Sequence, residues 1–172
     1  MSDNITSLIR DVPDFPKPGI IFKDITPLLR SSAAFGDAIE QMTAPFRNEG
    51  ITAVVAMESR GFIFGAPIAR LLNTGFVPIR KPGKLPWTTR RHEYVLEYGS
   101  GMLEIHDDAL NPEDRVLIVD DVLATGGTAG AAASLVSGLG TTIVAFSMLI
   151  ELDFLEGRKK LGGLPVHSVV HY

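Results

Sequence analysis

The sequence predicts an α/β protein with a mostly parallel central sheet flanked by helices. Residues 53–57 and 116–119 are continuous apolar runs, as expected of strands covered on both faces. Segments with apolar residues at helical spacing alternate with them. Strands joined by helices form parallel sheets with right-handed crossovers, and such sheets bind ligands at the carboxyl ends of their strands.

The first third of the chain contains two expected helices and a stiff connection. Apolar residues at helical spacing predict a short helix over 5–12, capped by Ser2 or Asp3. Residues 13–19 hold three prolines and cannot be helical. A second helix is expected over 32–48, with Pro45 kinking or shortening it.

Strands and helices alternate from residue 51 onward. Beyond the run 53–57 we expect a helix containing Ile68 and a strand at 76–79, followed by a polar, basic loop at 81–91. Residues 92–98 and 102–106 predict a hairpin joined by 99–101. The remaining elements are a strand at 116–119, a helix at 130–136, and strands at 143–149 and 166–170.

Composition sets the broad class. A chain of 172 residues fits a single domain, 1–172. The net charge of -4 argues against a nucleic-acid partner. There is no cysteine, no signal-peptide pattern and no apolar run long enough to cross a membrane, so we expect a cytoplasmic protein.

The segment 116–128 carries the strongest chemical signal. An apolar strand leads into Asp120 and Asp121, and a Thr/Gly loop then opens a helix. Loop glycines leave amide hydrogens unobstructed, and the helix directs its positive dipole end to the same place. Hydroxyls of Thr125 and Thr128 add donors, so this pocket suits a phosphate monoester.

The two acids indicate a second group beside the phosphate. Carboxylates accept hydrogen bonds from a sugar diol and orient hydrated magnesium, so the segment predicts a ribose 5-phosphate site. Neither G-x-x-x-x-G-K-[ST] nor G-x-G-x-x-G occurs. The alternative is a turn in which Asp120 or Asp121 only caps a helix, and the complete ordered constellation favours the functional interpretation.

This segment resembles the signature of the type I phosphoribosyltransferases. The resemblance implies that loop residues bind the 5-phosphate of phosphoribosyl pyrophosphate and that Asp120 and Asp121 face the ribose hydroxyls. The loop residues concerned are Ala124, Thr125, Gly126, Gly127 and Thr128.

Basic residues after two strands are candidates for the pyrophosphate group. By the resemblance, Glu58, Ser59 and Arg60 form one part of that site, with a cis peptide expected at Glu58-Ser59. The loop beginning at Arg80 supplies a flexible lid of about residues 81–100, with further ligands at Arg80, Lys81 and Lys84. Taken singly, these cations also fit ordinary solvated surface residues.

Four further stretches resemble the members of this family that act on adenine. They are 15–25, 59–65, 80–86 and 96–99, and the similarity covers nearly the whole chain. It implies a small N-terminal hood, about residues 1–30, in which Ile21, Phe22 and Lys23 bind adenine. Val122 would pack on the opposite face of the purine.

The same resemblance implies that Glu97 is the catalytic acid or base and that Tyr98 supports the lid. From sequence alone, Phe22 is better explained as a core aromatic, and Glu97 could equally be a solvated acid. Lys23 stands where many members have Arg, and Trp87–Arg91 departs from the family pattern, which leaves lid details open.

The expected function is transfer of the 5-phosphoribosyl group from phosphoribosyl pyrophosphate to adenine, giving AMP and pyrophosphate. Mg²⁺ is expected as cofactor, held mainly by the substrate and reached by Asp120 and Asp121 through water, and a homodimer is implied. The alternatives are a phosphoribosyltransferase for another base and a non-catalytic regulator that binds phosphoribosyl pyrophosphate.

Overall fold

A five-stranded parallel sheet organises the larger part of the chain. The computed structural model describes residues 5–96 and 99–172, apart from the side chains of 95, 96 and 99. The sheet has the order β4-β3-β7-β8-β9. Its strands are β3 (Ala53–Met57), β4 (Gly75–Ile79), β7 (Arg115–Leu123), β8 (Thr142–Glu151) and β9 (Val166–His171).

Helices connect the strands as the alternating pattern predicts. Helix α3 (Arg60–Leu72) links β3 to β4, and α4 (Gly127–Gly138) links β7 to β8. The sheet interior is fully buried at Val54–Ala56 and Val116–Val119, which explains why these runs are apolar throughout. The predicted α/β class is confirmed.

An antiparallel hairpin stands outside the main sheet. It consists of β5 (Thr89–Leu96) and β6 (Gly99–His106). The predicted hairpin is therefore confirmed, but two boundaries were wrong. The loop expected over 81–91 ends before Thr89, where β5 begins. Gly99–Gly101 form part of β6 rather than the connection, because each pairs with a residue of β5 in the ladder.

Residues Met1–Gln41 and Met42–Tyr172 form two compact units. In the first, β1 (Arg10–Pro13) and β2 (Ile21–Asp24) form an antiparallel hairpin, followed by α1 (Thr26–Arg30). The helix expected over 5–12 was wrong: only Ile5–Leu8 form a 3-10 turn, and strand β1 begins at Arg10. The prolines reverse the chain instead, and Asp14 Oδ1 accepts a hydrogen bond from the Gly19 amide within the turn.

Helix α2 (Ser32–Thr43) ends before Pro45 and continues as a 3-10 turn, Ala44–Phe46. Pro45 thus shortens the helix, as its missing amide hydrogen predicts. Among the described residues, no helix has the length and apolar character needed to span a bilayer.

Candidate active site

The site forms where β3 and β7 end side by side. These strands are parallel and pair in register from Ala53 with Val116 to Ala56 with Val119. The residues that follow β3, Glu58 and Ser59, therefore emerge beside the acid pair of β7. The Glu58-Ser59 peptide is cis, as the family resemblance implies.

Strand β7 continues through the acid pair. The expectation that the strand ends at Val119 was wrong, because β8 pairs with β7 as far as Leu123, opposite Glu151. Successive strand residues face opposite sides of a sheet. Asp120 and Val122 accordingly share a partly accessible face, whereas Asp121 and Leu123 are buried.

The first turn of α3 packs directly on the acid pair. A Cβ at Gly61 would lie 2.8 Å from Asp120 Oδ1 and 3.1 Å from the Val119 carbonyl oxygen. Only a residue without a side chain permits this approach. The adjacent Arg60 places its Nε 2.5 Å from Asp121 Oδ2.

Asp120 and Asp121 have different electrostatic surroundings. Poor solvation, and then the neighbouring Asp121 charge, raise the pKa of Asp120 well above its ordinary value, while Arg60 opposes this shift. Asp121 Oδ2 is buried, and apart from the Arg60 charge the described residues offer it no hydrogen bond. Asp120 is therefore easier to protonate than a solvated aspartate, whereas Asp121 lies against the Arg60 cation.

Backbone geometry shapes the loop after β7. Gly126 has φ of 78° and precedes α4, which begins at Gly127 and directs its first amides into the loop. A Cβ on Gly126 would collide with the carbonyl oxygen of Gly157, and a Cβ on Gly157 would collide with that of Ala124. Thr125 and Thr128 remain partly accessible. The loop has the form expected of an anion cradle.

The Glu58 carboxylate contacts three of the basic residues expected to bind pyrophosphate. Its Oε2 accepts hydrogen bonds from Arg80 Nε at 3.0 Å and the Lys81 amide at 3.2 Å, and Lys84 Nζ lies 3.1 Å from Oε1. Burial alone would raise the pKa of Glu58, but hydrogen bonds from Lys84, Lys81 and Arg80 outweigh it and lower the pKa. Arg80 and Lys84 are therefore paired in this structure.

Glu104 anchors the same loop from β6, and sequence analysis did not single it out. Its carboxylate is buried, lies 2.7 Å from Arg91 Nε and accepts a hydrogen bond from the Gly83 amide at 3.1 Å. The Glu104 backbone also pairs with Arg80 in both directions. The sequence shows only that Glu104 is an acidic residue in a predicted strand. Its burial could not be predicted, because it depends on contacts with a loop that is distant in sequence.

Three of the four expected adenine contacts lie in the first compact unit. Ile21, Phe22 and Lys23 belong to β2. The rings of Phe22 and Phe15 meet edge to face at 5.2 Å, and Lys23 Nζ lies 2.7 Å from Asp11 Oδ1. Glu97 and Tyr98 lie outside the described residues.

A parallel five-stranded sheet with an acid pair and an anion-cradling loop at its carboxyl edge defines a phosphoribosyltransferase. Residues 24–162 match the family model of the phosphoribosyl transferase domain. An adenine phosphoribosyltransferase from Methylococcus capsulatus is 59% identical over 170 residues, covering 99% of both chains.

Solved structures agree with these sequence matches. The chain resembles adenine phosphoribosyltransferase from Thermoanaerobacter pseudethanolicus with a TM-score of 0.95, 51% identity and 98% coverage of both chains. The Saccharomyces cerevisiae enzyme, solved with an imino-altritol bisphosphate and adenine, gives a TM-score of 0.90, 40% identity and 96% coverage of both. The chain belongs to the adenine phosphoribosyltransferase family.

Proposed function

We propose that this chain transfers the 5-phosphoribosyl group from phosphoribosyl pyrophosphate to adenine, using the residues at the carboxyl edge of its sheet. The bond from the anomeric carbon to pyrophosphate breaks, a bond to N9 of adenine forms, and AMP and pyrophosphate leave. The observation that carries the proposal is the acid pair of β7, flanked by Arg60 and followed directly by the loop before α4.

The sugar phosphate occupies the end of β7 in this proposal. The backbone amides of Ala124–Thr128, with the hydroxyls of Thr125 and Thr128, bind the 5-phosphate at the positive end of α4. Asp120 and Asp121 accept hydrogen bonds from the ribose hydroxyls. The accessible face of Asp120 supports this assignment.

The departing pyrophosphate meets the cations around α3 and β4. Arg60 and the amides of Glu58 and Ser59 lie on one side, and Arg80, Lys81 and Lys84 on the other. The Glu58 carboxylate pairs with Arg80 and Lys84. Pyrophosphate, which carries more negative charge, replaces that carboxylate as their partner when it binds. These groups stabilise negative charge that develops as the bond breaks.

The residues also suit a magnesium ion brought by phosphoribosyl pyrophosphate. Carboxylate oxygens are its preferred protein ligands, commonly through water, and the neighbouring carboxylate of Asp120 is partly accessible. Asp120 and Asp121 would hold the ion through water. When bound, it neutralises charge on the pyrophosphate.

In this proposal the hood residues Ile21, Phe22 and Lys23 bind adenine, and the side chain of Val122 contacts the purine ring. Support comes from the accessible face that Val122 shares with Asp120 and from the adenine complex of the yeast relative. Glu97 takes the proton from the purine imidazole nitrogen during synthesis and returns it in the reverse reaction. Tyr98 supports the lid over about residues 81–100, which excludes water that would hydrolyse the activated sugar.

The chain acts in the cytoplasm as a homodimer in this proposal. Sedimentation velocity checks the assembly, and a monomer at working concentration contradicts it.

A base panel tests the reaction itself. Purified protein with phosphoribosyl pyrophosphate and Mg²⁺ is expected to form a nucleotide from adenine and little from hypoxanthine, guanine or orotate. Glu97→Gln should lower turnover far more than affinity for phosphoribosyl pyrophosphate. Absence of AMP with the wild-type chain would overturn the proposal, and unchanged turnover of the variant would overturn the role of Glu97.

A further inference from the structure

The phosphate loop rests on main chain from the far end of the sequence. Gly157 is buried, and its backbone contacts residues 124–126 so closely that neither Gly126 nor Gly157 has room for a Cβ. At Gly157 a Cβ would also lie 3.0 Å from the Gly126 amide nitrogen and 3.1 Å from Leu123 Cδ1. The position of Gly157 therefore sets the position of the loop.

Arg158, the next residue, fixes that backbone to the sheet. Its Nε donates to Glu151 Oε1 at 2.5 Å and its Nη2 to Oε2 at 2.6 Å, while Nη1 donates to the Val166 carbonyl oxygen at 3.0 Å. A two-pronged pair of this kind restrains both position and orientation. Glu151 is buried, whereas Arg158 remains partly exposed.

Contacts with β7 and β9 hold Glu151 beside the start of the phosphate loop. It closes β8 opposite Leu123 of β7, and the Leu152 amide donates to the Leu123 carbonyl oxygen at 3.0 Å. Ser168 Oγ of β9 donates to Glu151 Oε2 at 2.6 Å. Burial would raise the pKa of Glu151, but hydrogen bonds from Arg158 and Ser168 lower it, so the carboxylate stays ionised.

We propose that Glu151 and Arg158 are positioning residues for the 5-phosphate loop and act on it through Gly157. This inference rests on the proposed function, because it takes residues 124–128 as the phosphate cradle. Neither side chain touches substrate. Their pair holds the main chain of Gly157 against Ala124 and Gly126, and thereby keeps the loop amides aimed at the phosphate.

Direct binding by calorimetry tests the proposal with two probes, ribose 5-phosphate and pyrophosphate. Arg158→Ala should weaken ribose 5-phosphate by roughly 10- to 100-fold, the scale expected when a distant change misplaces a binding group by about 1 Å. Pyrophosphate binding should stay within about twofold, because the loop does not hold that group. The KM for phosphoribosyl pyrophosphate should rise more than kcat falls.

Two further variants separate positioning from general damage. Lys159→Ala removes an exposed ion pair with Glu156 from the same segment and should leave both probes unchanged. Methylguanidinium at a non-denaturing concentration should restore ribose 5-phosphate binding to Arg158→Ala, which would show that the loss comes from the missing guanidinium group. If that variant does not fold, Glu151→Gln/Arg158→Gln removes the pair without leaving a buried charge, and the same loss is expected.

The outcomes distinguish this inference from the proposed function. Gly126→Ala disturbs the loop directly and should abolish ribose 5-phosphate binding. If it does so while the folded Arg158 variants bind the probe normally, the positioning role is overturned and the proposed function stands. If Gly126→Ala also binds normally, the phosphate site itself is misplaced and both proposals fail.

Discussion

The carboxylate of Asp120 leaves no room for a side chain at Gly61: a Cβ at position 61 would lie 2.8 Å from Asp120 Oδ1. The start of α3 thus packs closely against Asp120. Arg60 precedes Gly61 and Asp121 follows Asp120, and the two side chains pair at 2.5 Å. Acid pair and cation are positioned by one helix-strand contact.

Substitution of Gly61 should disturb both stability and binding. Gly61→Ala forces the Asp120 carboxylate or the α3 backbone to move, and overpacking of this kind costs about 1–3 kcal/mol. Urea unfolding and the KM for phosphoribosyl pyrophosphate measure the two effects. Gly36→Ala is the control, because its Cβ meets open space within α2 and should stabilise by about 0.5–1 kcal/mol. Equal behaviour of the two variants would contradict the contact.

Asp120 should give the ligand-free protein a stability that falls as pH rises. Its folded pKa is raised above 3.8 by poor solvation and then by Asp121, so its contribution is present below pH 3.8 and is lost as pH rises through the folded pKa. Relative to Asp120→Asn, the wild-type chain should lose stability across that window, by about 1.4 kcal/mol for each unit of pKa difference. Urea titrations of both proteins at stepped pH measure the difference, and a constant gap would refute it.

Glu58 should show the opposite dependence. Hydrogen bonds from Lys84, Lys81 and Arg80 outweigh burial and lower its pKa below 4.5, so its contribution is present above pH 4.5 and is lost as pH falls through the folded pKa. Glu58→Gln should therefore destabilise by about 1–3 kcal/mol at neutral pH and less in acid. Glu113→Gln, at an exposed position, is the control. A deficit that does not shrink in acid would argue against the ion-pair origin.

Arg60→Ala should affect pyrophosphate-dependent steps more than AMP binding. Arg60 is the cation nearest the acid pair, and its loss should lower kcat/KM for phosphoribosyl pyrophosphate by roughly 10- to 100-fold. The change also leaves Asp121 buried without its counter-charge, and urea unfolding of the variant measures that loss of stability separately from binding. Equal losses for AMP and pyrophosphate would contradict the assignment.

The fold was predictable where one strand or helix carries its own pattern. The apolar run 53–57 coincides with β3, and Pro45 ends α2 as its chemistry requires. The hairpin β1-β2 was missed because Ile5, Leu8, Ile9 and Val12 also satisfy a helical period. Tertiary pairing with residues 21–24 decided between the two.

The site followed the same division. The acid pair, the Thr/Gly loop and Arg60 are adjacent in sequence to the strands that position them, so their motif could be read locally. Glu104 and Gly157 act on loops 21 and more residues away, and no local pattern marks either of them. The pairing of Arg80 and Lys84 with Glu58 could not be predicted either, because the charge of a side chain does not indicate which residue it will pair with.

The back-to-back glycines at 126 and 157 restrict how this binding loop can be re-engineered. Neither position tolerates a side chain, so a combinatorial library that varies them would consist mainly of inactive clones. Diversity is better placed at Ala124, Thr125 and Thr128, which are partly accessible. Substitutions at these positions change the side chains that face a ligand but leave the backbone packing between Gly126 and Gly157 intact.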